Sequence, residues 1–336
     1  MNTVVVSGYG VKISVSKGLL VISDGENKKK IGLADVDQLI IVSSGVSITS
    51  SAIRLLVANG VDIVFLDAKG LPIGRIYPPY ISKTVDTRRA QYLVYNIREK
   101  IVKLMIEFIT TKIYNQTGHL RRLARQLDRP GLRELAYEIV DEYLERLPSE
   151  SSSIEYVREK LRIAESIAAQ KYWEALSTTI PENLGFKSRK PGEGVDIVNR
   201  CLDYMYGVLY SEVWKILVLA GLDPYAGYIH VDRSGKPTLV YDFVEMFRAS
   251  AVDYPLFSAL RNYLTPTWKD QETGLLSLET RRELIKILKK RLDQRVGGKG
   301  YDNRYTLRSF IARKAYELAS YLRGETPVFK GFIEEW

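Results

Sequence analysis

The hydrophobic period of this chain changes at Tyr77-Pro78-Pro79-Tyr80, and that change constrains the fold more than any other feature. Before it, apolar runs of strand length recur at 4–6, 11–15, 19–22, 39–42, 61–66 and 71–76. Val11, Ile13 and Val15 alternate with Lys12 and Ser14, the two-residue period of a strand with one wet face. Turn chemistry separates the runs at Gly8-Tyr9-Gly10, Ser16-Lys17-Gly18, Asp24-Gly25 and Lys69-Gly70. One segment departs from this pattern. Residues 49–59 carry Ile53, Leu56 and Val57 at helical spacing behind a Ser/Thr cap, which predicts a short helix covering the sheet. Two adjacent prolines fit neither a central strand nor a helix interior. Beyond them the period is helical, at 88–111, 120–126, 133–147, 155–176, 196–220, 278–296 and 307–323, with Gly221 and Gly324 as helix stops. The pattern predicts an α+β chain of two domains. Residues 1–79 form a β-rich domain with one short helix, and residues 80–336 form an all-α domain.

Charge bears on the partner. The chain carries a net charge of +9 with a pI near 9.3, a balance that suits an anionic partner such as nucleic acid or an acidic membrane surface. Residues 1–86 hold 9 Lys+Arg and 7 Asp+Glu, leaving 40 and 33 for the rest, so the helical half is the expected anion-binding half. The single cysteine, Cys201, excludes a disulfide framework or a thiolate zinc site within one chain. The chain enters a β-like run directly after Met1-Asn2-Thr3, with no leader pattern. Its most apolar stretch, 213–220, is far short of a membrane span and contains Lys215. A cytoplasmic protein is expected.

There are two histidines. His119 lies among Arg121, Arg122 and Arg125 and reads as a solvated neighbour of arginines. His230 follows Gly227-Tyr228-Ile229 and precedes a polar turn, 232–237, after which come Asp242 and Glu245. If a helix starts there, the two acids share one face. They read either as a helix-start carboxylate and an ordinary surface glutamate, or as a site with His230. Glu165 falls on the face of Leu161, Ala168, Ala169 and Tyr172, where a carboxylate needs a partner. It is either a partly exposed glutamate at the edge of the stripe or a cation ligand. One imidazole with two or three carboxylates and no thiols is a ligand set for Mg²⁺ or Mn²⁺, and the imidazole suits Mn²⁺. Beside a basic surface, such an ion suits phosphodiester chemistry. Basic residues cluster at Lys187, Arg189 and Lys190, at Arg121, Arg122, Arg125 and Arg129, and along 278–296 at Arg281, Arg282, Lys286, Lys289, Lys290, Arg291 and Arg295. Each cluster reads either as a solvated face or as a phosphate-backbone contact. No zinc-finger spacing, P-loop or dinucleotide fingerprint occurs.

Taken in order, these segments resemble the CRISPR-associated integrase family, the catalytic subunit of the spacer-adaptation complex. The resemblance rests on Glu165 with Ala168-Ala169, Tyr172-Trp173 and Leu176. It continues through Phe186, Arg189, Pro191, Asp196, Asn199, Leu202 and Tyr206. It ends on Gly221, Asp223-Pro224-Tyr225, Gly227, His230, Asp242 and Glu245, and on the 316–324 segment. The resemblance implies that Glu165, His230 and Asp242 are catalytic metal ligands and that Glu245 is a supporting acid. It implies that Arg189, Asn199 and Tyr206, with Lys187 and Lys190 beside them, line the site or touch DNA. It implies a dimerising N-terminal β domain, a helical catalytic domain and a small ferredoxin-like partner protein. The activity it implies is metal-dependent insertion of short DNA into a CRISPR array by 3′-hydroxyl transesterification, together with cleavage or rejoining of branched DNA. Ser166 and Asp203 depart from the family pattern, at positions where glycine and asparagine or serine are usual. A related transposon integrase is a second reading, weakened because the chain stops at Trp336 soon after the shared core. A non-catalytic DNA-binding scaffold is a third, opposed by the intact ligand set.

Overall fold

Alternation in the first 77 residues becomes two sheets. The computed structural model describes residues 2–34, 36–77, 85–192, 196–231 and 233–336. The boundary residues Pro78, Pro79 and Tyr80, and Asp232 of the polar turn, lie outside them. The strands are β1 (Asn2–Val6), β2 (Val11–Ser16), β3 (Leu19–Ser23), β4 (Lys28–Ile31), β5 (Val36–Ile41), β6 (Val46–Ile48), β7 (Asp62–Leu66) and β8 (Pro72–Ile76). One sheet has the order β1-β5-β7-β8, with β1, β5 and β7 parallel and β8 antiparallel to β7. The other has the order β4-β3-β2-β6, antiparallel except for the β2–β6 pair. Helix α1 (Ser50–Ala58) starts where the sequence places it, since the Thr49 hydroxyl accepts from the Ala52 N–H at 3.2 Å. Ile13, Leu20, Leu39, Leu56 and Ile63 are fully buried in one cluster, each contributing roughly 1.5–3 kcal/mol of apolar burial.

The remainder is helical: α2 (Val85–Val94), α3 (Arg98–Leu127), α4 (Pro130–Glu145), α5 (Ile154–Ser177), α6 (Ile197–Leu219), α7 (Thr238–Val244), α8 (Tyr254–Asn262), α9 (Leu278–Asp293) and α10 (Leu307–Arg323). A π-helical turn, Ala249–Asp253, joins α7 to α8. Short strands occur here too. A hairpin pairs β9 (Trp268–Asp270) with β10 (Leu275–Leu276), and β11 (Arg295–Gly298) pairs with β12 (Tyr305–Thr306) and β13 (Glu334–Glu335). Segments of two to four residues are too short to show a period. The segment 120–126 is the end of α3 rather than a helix of its own. No proline interrupts 112–119, Gly118 continues the helix, and the polar residues there are buried rather than forming a loop.

The β1-β5-β7-β8 sheet docks on α6 through largely buried polar groups. Arg75 donates from Nη2 to the Ser211 carbonyl (2.7 Å) and hydroxyl (2.9 Å), and its Nε stands 3.3 Å from Asp62. Gly207 of α6 lies flat against the 67–71 turn, where a Cβ would stand 2.3 Å from the Gly70 carbonyl oxygen. A backbone atom cannot swing aside as a side chain can. Gly207→Ala is therefore expected to cost about 1–3 kcal/mol by forcing the halves apart. Thermal unfolding checks this, and a wild-type midpoint would refute it.

Candidate active site

Helix α7 and the loop before it build the first part of the site. Three consecutive backbone N–H groups, of Tyr228, Ile229 and His230, converge on the Asp242 carboxylate at 2.5, 2.9 and 3.0 Å. The Asp242 side chain is 0% exposed. His230 adds a fourth bond, with Nδ1 2.6 Å from Asp242 Oδ1. A carboxylate that takes three backbone N–H groups accepts here too, so Nδ1 carries a proton, and in the neutral ring Nε2 holds the lone pair. Burial would lower the His230 pKa. The hydrogen bond and charge of Asp242, with the nearby charge of Glu245, overcome that and raise it. The imidazole is 45% exposed, with the Tyr241 ring edge-on at 5.8 Å.

The second part forms where α3, α5 and the end of α7 meet. Lys112 of α3 is buried with its ammonium between two acids: it pairs with Glu165 of α5, and its Nζ stands 2.7 Å from Glu245. Burial would lower the Lys112 pKa, but Glu165 and Glu245 raise it above the usual lysine range. Glu245 also pairs with Arg248 at 2.8 Å. Burial pushes its carboxyl up, and Arg248 and Lys112 pull it down to about 2. Glu165 is the more open acid, its side chain 26% exposed.

The loop before α6 forms the third wall. Asn199 pins it from behind, fully buried. Its carbonyl accepts from Arg189 Nη1 (3.0 Å) and the Lys190 N–H (2.8 Å), while its amide donates to the Ser188 carbonyl (2.9 Å) and to Asp196 (2.8 Å). Arg189 also pairs with Asp203 at 2.5 Å, so the family departure at Asp203 supplies an ion pair. Tyr206 is buried, and its ring lies beneath the guanidinium groups of Arg248 (4.7 Å) and Arg189 (5.5 Å). Lys187 and Lys190 are exposed on the same loop. A cavity of about 600 Å³ opens beside the second and third walls, lined by Lys112, Arg189, Arg248, Tyr206, Asp253 and Lys69 among others. Glu165, Glu245, His230 and Asp242 lie outside its lining, and Lys112 and Arg248 connect it to the two glutamates.

The structure thus joins Glu165 to Glu245 through Lys112, and His230 to Asp242. Among the described residues, no three His, Cys, Asp or Glu side chains stand close enough to hold one ion as arranged. The donor chemistry nonetheless fits a hard divalent cation. Two carboxylates already converge on one positive charge, and beside them His230 presents a free Nε2 from a fixed ring.

One expectation needs correction, and a second holds only in part. His119 is not a solvated neighbour of arginines. It is fully buried, because α3 turns it inward against Tyr172, Tyr254 and Trp336. The basic run of 278–296 is only partly available to a partner: Arg282, Lys286, Lys290 and Arg295 are exposed, while two of the others are buried. Arg291 pairs with Glu334, Lys289 bonds the Thr3 carbonyl, Arg282 bonds Ser7, and Arg281 is buried. Lys112, Arg248 and Asp253 escaped the sequence reading. The signal for Lys112 was present: Lys112, Asn115, Gln116 and His119 recur every three or four residues, a polar row on a helix whose neighbours are apolar.

The comparisons with known proteins agree. The model of the family described as CRISPR associated protein Cas1 matches residues 4–290. The CRISPR-associated endonuclease Cas1 2 of Saccharolobus solfataricus is 35% identical over 99% of this chain and 98% of its own length. The CRISPR-associated endonuclease Cas1 1 of Archaeoglobus fulgidus is 36% identical over 99% of each. The fold is shared with a casposase bound to integration product, at a TM-score of 0.82 and 23% identity, over 98% of this chain and 93% of that one. With a family model covering most of its length and full-length relatives above 30% identity, this chain belongs to the Cas1 family of CRISPR-associated proteins.

Proposed function

We propose that this protein is a divalent-metal-dependent DNA integrase and endonuclease of CRISPR adaptation, which joins the 3′-hydroxyls of a short DNA to a CRISPR array and also acts on branched DNA. The convergence of Glu165 and Glu245 on one buried positive charge carries this reading. In it, Glu165, Glu245 and His230 Nε2 hold Mn²⁺ or Mg²⁺. Asp242 serves them from behind: its four donors leave it no free direction, so it fixes the ring and tautomer of His230. This divides the sequence-predicted roles differently, with Glu245 as a ligand and Asp242 as the support of His230. The bound ion would polarise the phosphoryl oxygen, activate a water or sugar hydroxyl and neutralise the leaving oxygen.

The chain's own cations do the rest. Arg248 and Arg189, stacked on Tyr206, present fixed positive charge to a phosphate in the cavity and offset the negative charge that develops there. Exposed Lys187 and Lys190 suit the flanking backbone. Arg248 and Lys112 hold the Glu245 carboxyl below its usual range, which favours the ionised form that a ligand needs. The family resemblance adds a homodimer formed through the β domain and a small ferredoxin-like partner acting in the cytoplasm. Among the described residues, no helix is long and apolar enough to cross a membrane.

The test is strand transfer of a short duplex with free 3′-hydroxyls into a supercoiled plasmid, with Mn²⁺ or Mg²⁺ against EDTA. Metal-dependent nicked or joined product is expected, and His230→Ala should remove it while DNA affinity stays within about twofold. Product unaffected by EDTA, or full activity in His230→Ala, would exclude this site. No product with any divalent ion, despite tight DNA binding, would favour a scaffold.

A further inference from the structure

A chain of contacts runs from half-buried Trp336 through buried polar groups to the cavity wall formed by Tyr206 and Asp253. The Trp336 ring lies over His119, with centroids 5.6 Å apart and planes at 17°, and Tyr254 stands edge-on to it at 5.4 Å. Gly118 makes the room, since a Cβ there would stand 2.3 Å from Trp336 Cδ1. Arg125 holds the Trp336 carbonyl at 2.9 Å. Burial pushes the His119 pKa well down, and Arg261, Arg122 and Arg291 add to that, so the ring is neutral.

Proton counting fixes the direction of the chain. Tyr172 has one hydroxyl proton and donates it to Asp253 Oδ2 at 3.0 Å. His119 Nδ1, 2.9 Å from the Tyr172 oxygen, must therefore be the donor of that pair. Asp253 Oδ1 accepts from Tyr206 at 2.5 Å. Tyr206 carries Arg248 on its face, and Arg248 pairs with Glu245. Asp253 closes the π-helical turn, a distortion common at functional sites. Among the described residues no cation stands within ion-pair distance of its carboxylate; two hydroxyls hold it. A buried carboxylate kept this way costs stability that packing alone does not require.

We propose that Trp336 and His119 are positioning residues for the strand-transfer site. The stacked pair sets Tyr172, Tyr172 sets the Asp253 carboxylate, and Asp253 sets the Tyr206 platform that holds Arg248 against Glu245. This rests on the function proposed above. None of Trp336, His119 or Tyr172 touches the reacting atoms.

Three variants test it: Trp336→Ala, Trp336→Phe and Tyr172→Phe. Each is assayed well below its own unfolding midpoint for turnover at saturating DNA and for DNA affinity by fluorescence anisotropy. Trp336→Ala and Tyr172→Phe should turn over at least tenfold more slowly with DNA affinity within twofold, and Trp336→Phe should recover at least half the wild-type rate. Wild-type turnover in folded Trp336→Ala or Tyr172→Phe overturns the proposal, as does equal loss of rate and affinity, or no recovery in Trp336→Phe. Should Trp336→Ala fail to fold, Tyr172→Phe, which removes a single oxygen, decides. A crystal structure of Tyr172→Phe gives a readout free of activity: Arg248 displaced from Glu245 supports the chain, and an unmoved Arg248 sinks it. Inactive wild-type protein would refute the functional reading alone, leaving that displacement to judge the positioning.

Discussion

Glu245→Ala and Asp242→Ala are expected to fail in different ways. Glu245→Ala should lower strand transfer on the order of 10³-fold or more, the scale on which groups acting as one unit fail, while the protein still folds. Lys112 keeps Glu165 as a partner, and Arg248 keeps Tyr210 and the Tyr206 ring. Asp242→Ala removes a fully buried acceptor that serves three backbone N–H groups and His230 Nδ1, of which the imidazole alone is largely open to water. Each buried donor left alone costs about 1–3 kcal/mol. The expected loss is about 3–5 kcal/mol, a figure typical of breaking a buried charged network, or a fall of roughly 10 °C in the unfolding midpoint. Calorimetry beside a strand-transfer assay separates the two. If Asp242→Ala unfolds like wild type, its carboxylate is not the keystone of the 227–230 loop. If Glu245→Ala stays active, Asp242 must be the ligand after all.

The division of labour between these two acids was not legible in the sequence. Asp242 and Glu245 differ by three residues on one helical turn, and spacing alone puts both on one side. What separates them is the path of the 227–230 loop, whose N–H groups wrap one carboxylate and leave the other facing α3. That is a tertiary fact. The polar row that carries Lys112 was legible but its partners were not: such a lysine can snorkel to the surface or pair inside, and only the neighbouring helices decide. The helix starts were legible because they are local. Thr49, Ser153, Asp196, Ser277 and Thr306 each accept from an N–H three residues on. The strands with one wet face were legible from their alternation. β4 was not, because its sequence is Lys28-Lys29-Lys30-Ile31. It is an edge strand, where lysines discourage pairing with another chain, so its composition reports its position rather than a hydrophobic period. The basic run at 278–296 was legible only in part, since Arg282, Lys286, Lys290 and Arg295 are exposed but two arginines are not. Charge looks like a surface feature in sequence, yet Arg281 and Arg291 are buried, and Arg291 is matched by Glu334, 43 residues away.

Lys112→Met should make the metal requirement visible as stability. The methionine keeps most of the side chain's volume but leaves Glu165 and Glu245 without their shared ammonium. Two carboxylates left facing each other, with only Arg248 in support, should cost the metal-free protein about 2–4 kcal/mol. A divalent ion supplies the missing charge. An ion present at about 100 times its dissociation constant stabilises by roughly 2.7 kcal/mol, enough to recover most of that loss. The wild type should gain less from the same Mn²⁺ concentration, because there the ion must first displace the ammonium. The measurement is thermal unfolding of both proteins in EDTA and across a Mn²⁺ titration. The expected pattern is a lower midpoint for Lys112→Met in EDTA and a steeper rise with Mn²⁺. Equal Mn²⁺ shifts in the two proteins would mean that the ion binds away from Glu165 and Glu245, and a Lys112→Met midpoint equal to wild type in EDTA would mean that the buried ion pairs contribute nothing to the fold. Because this titration needs no DNA and no turnover, it tests the two carboxylates as a cation site independently of what that cation is used for.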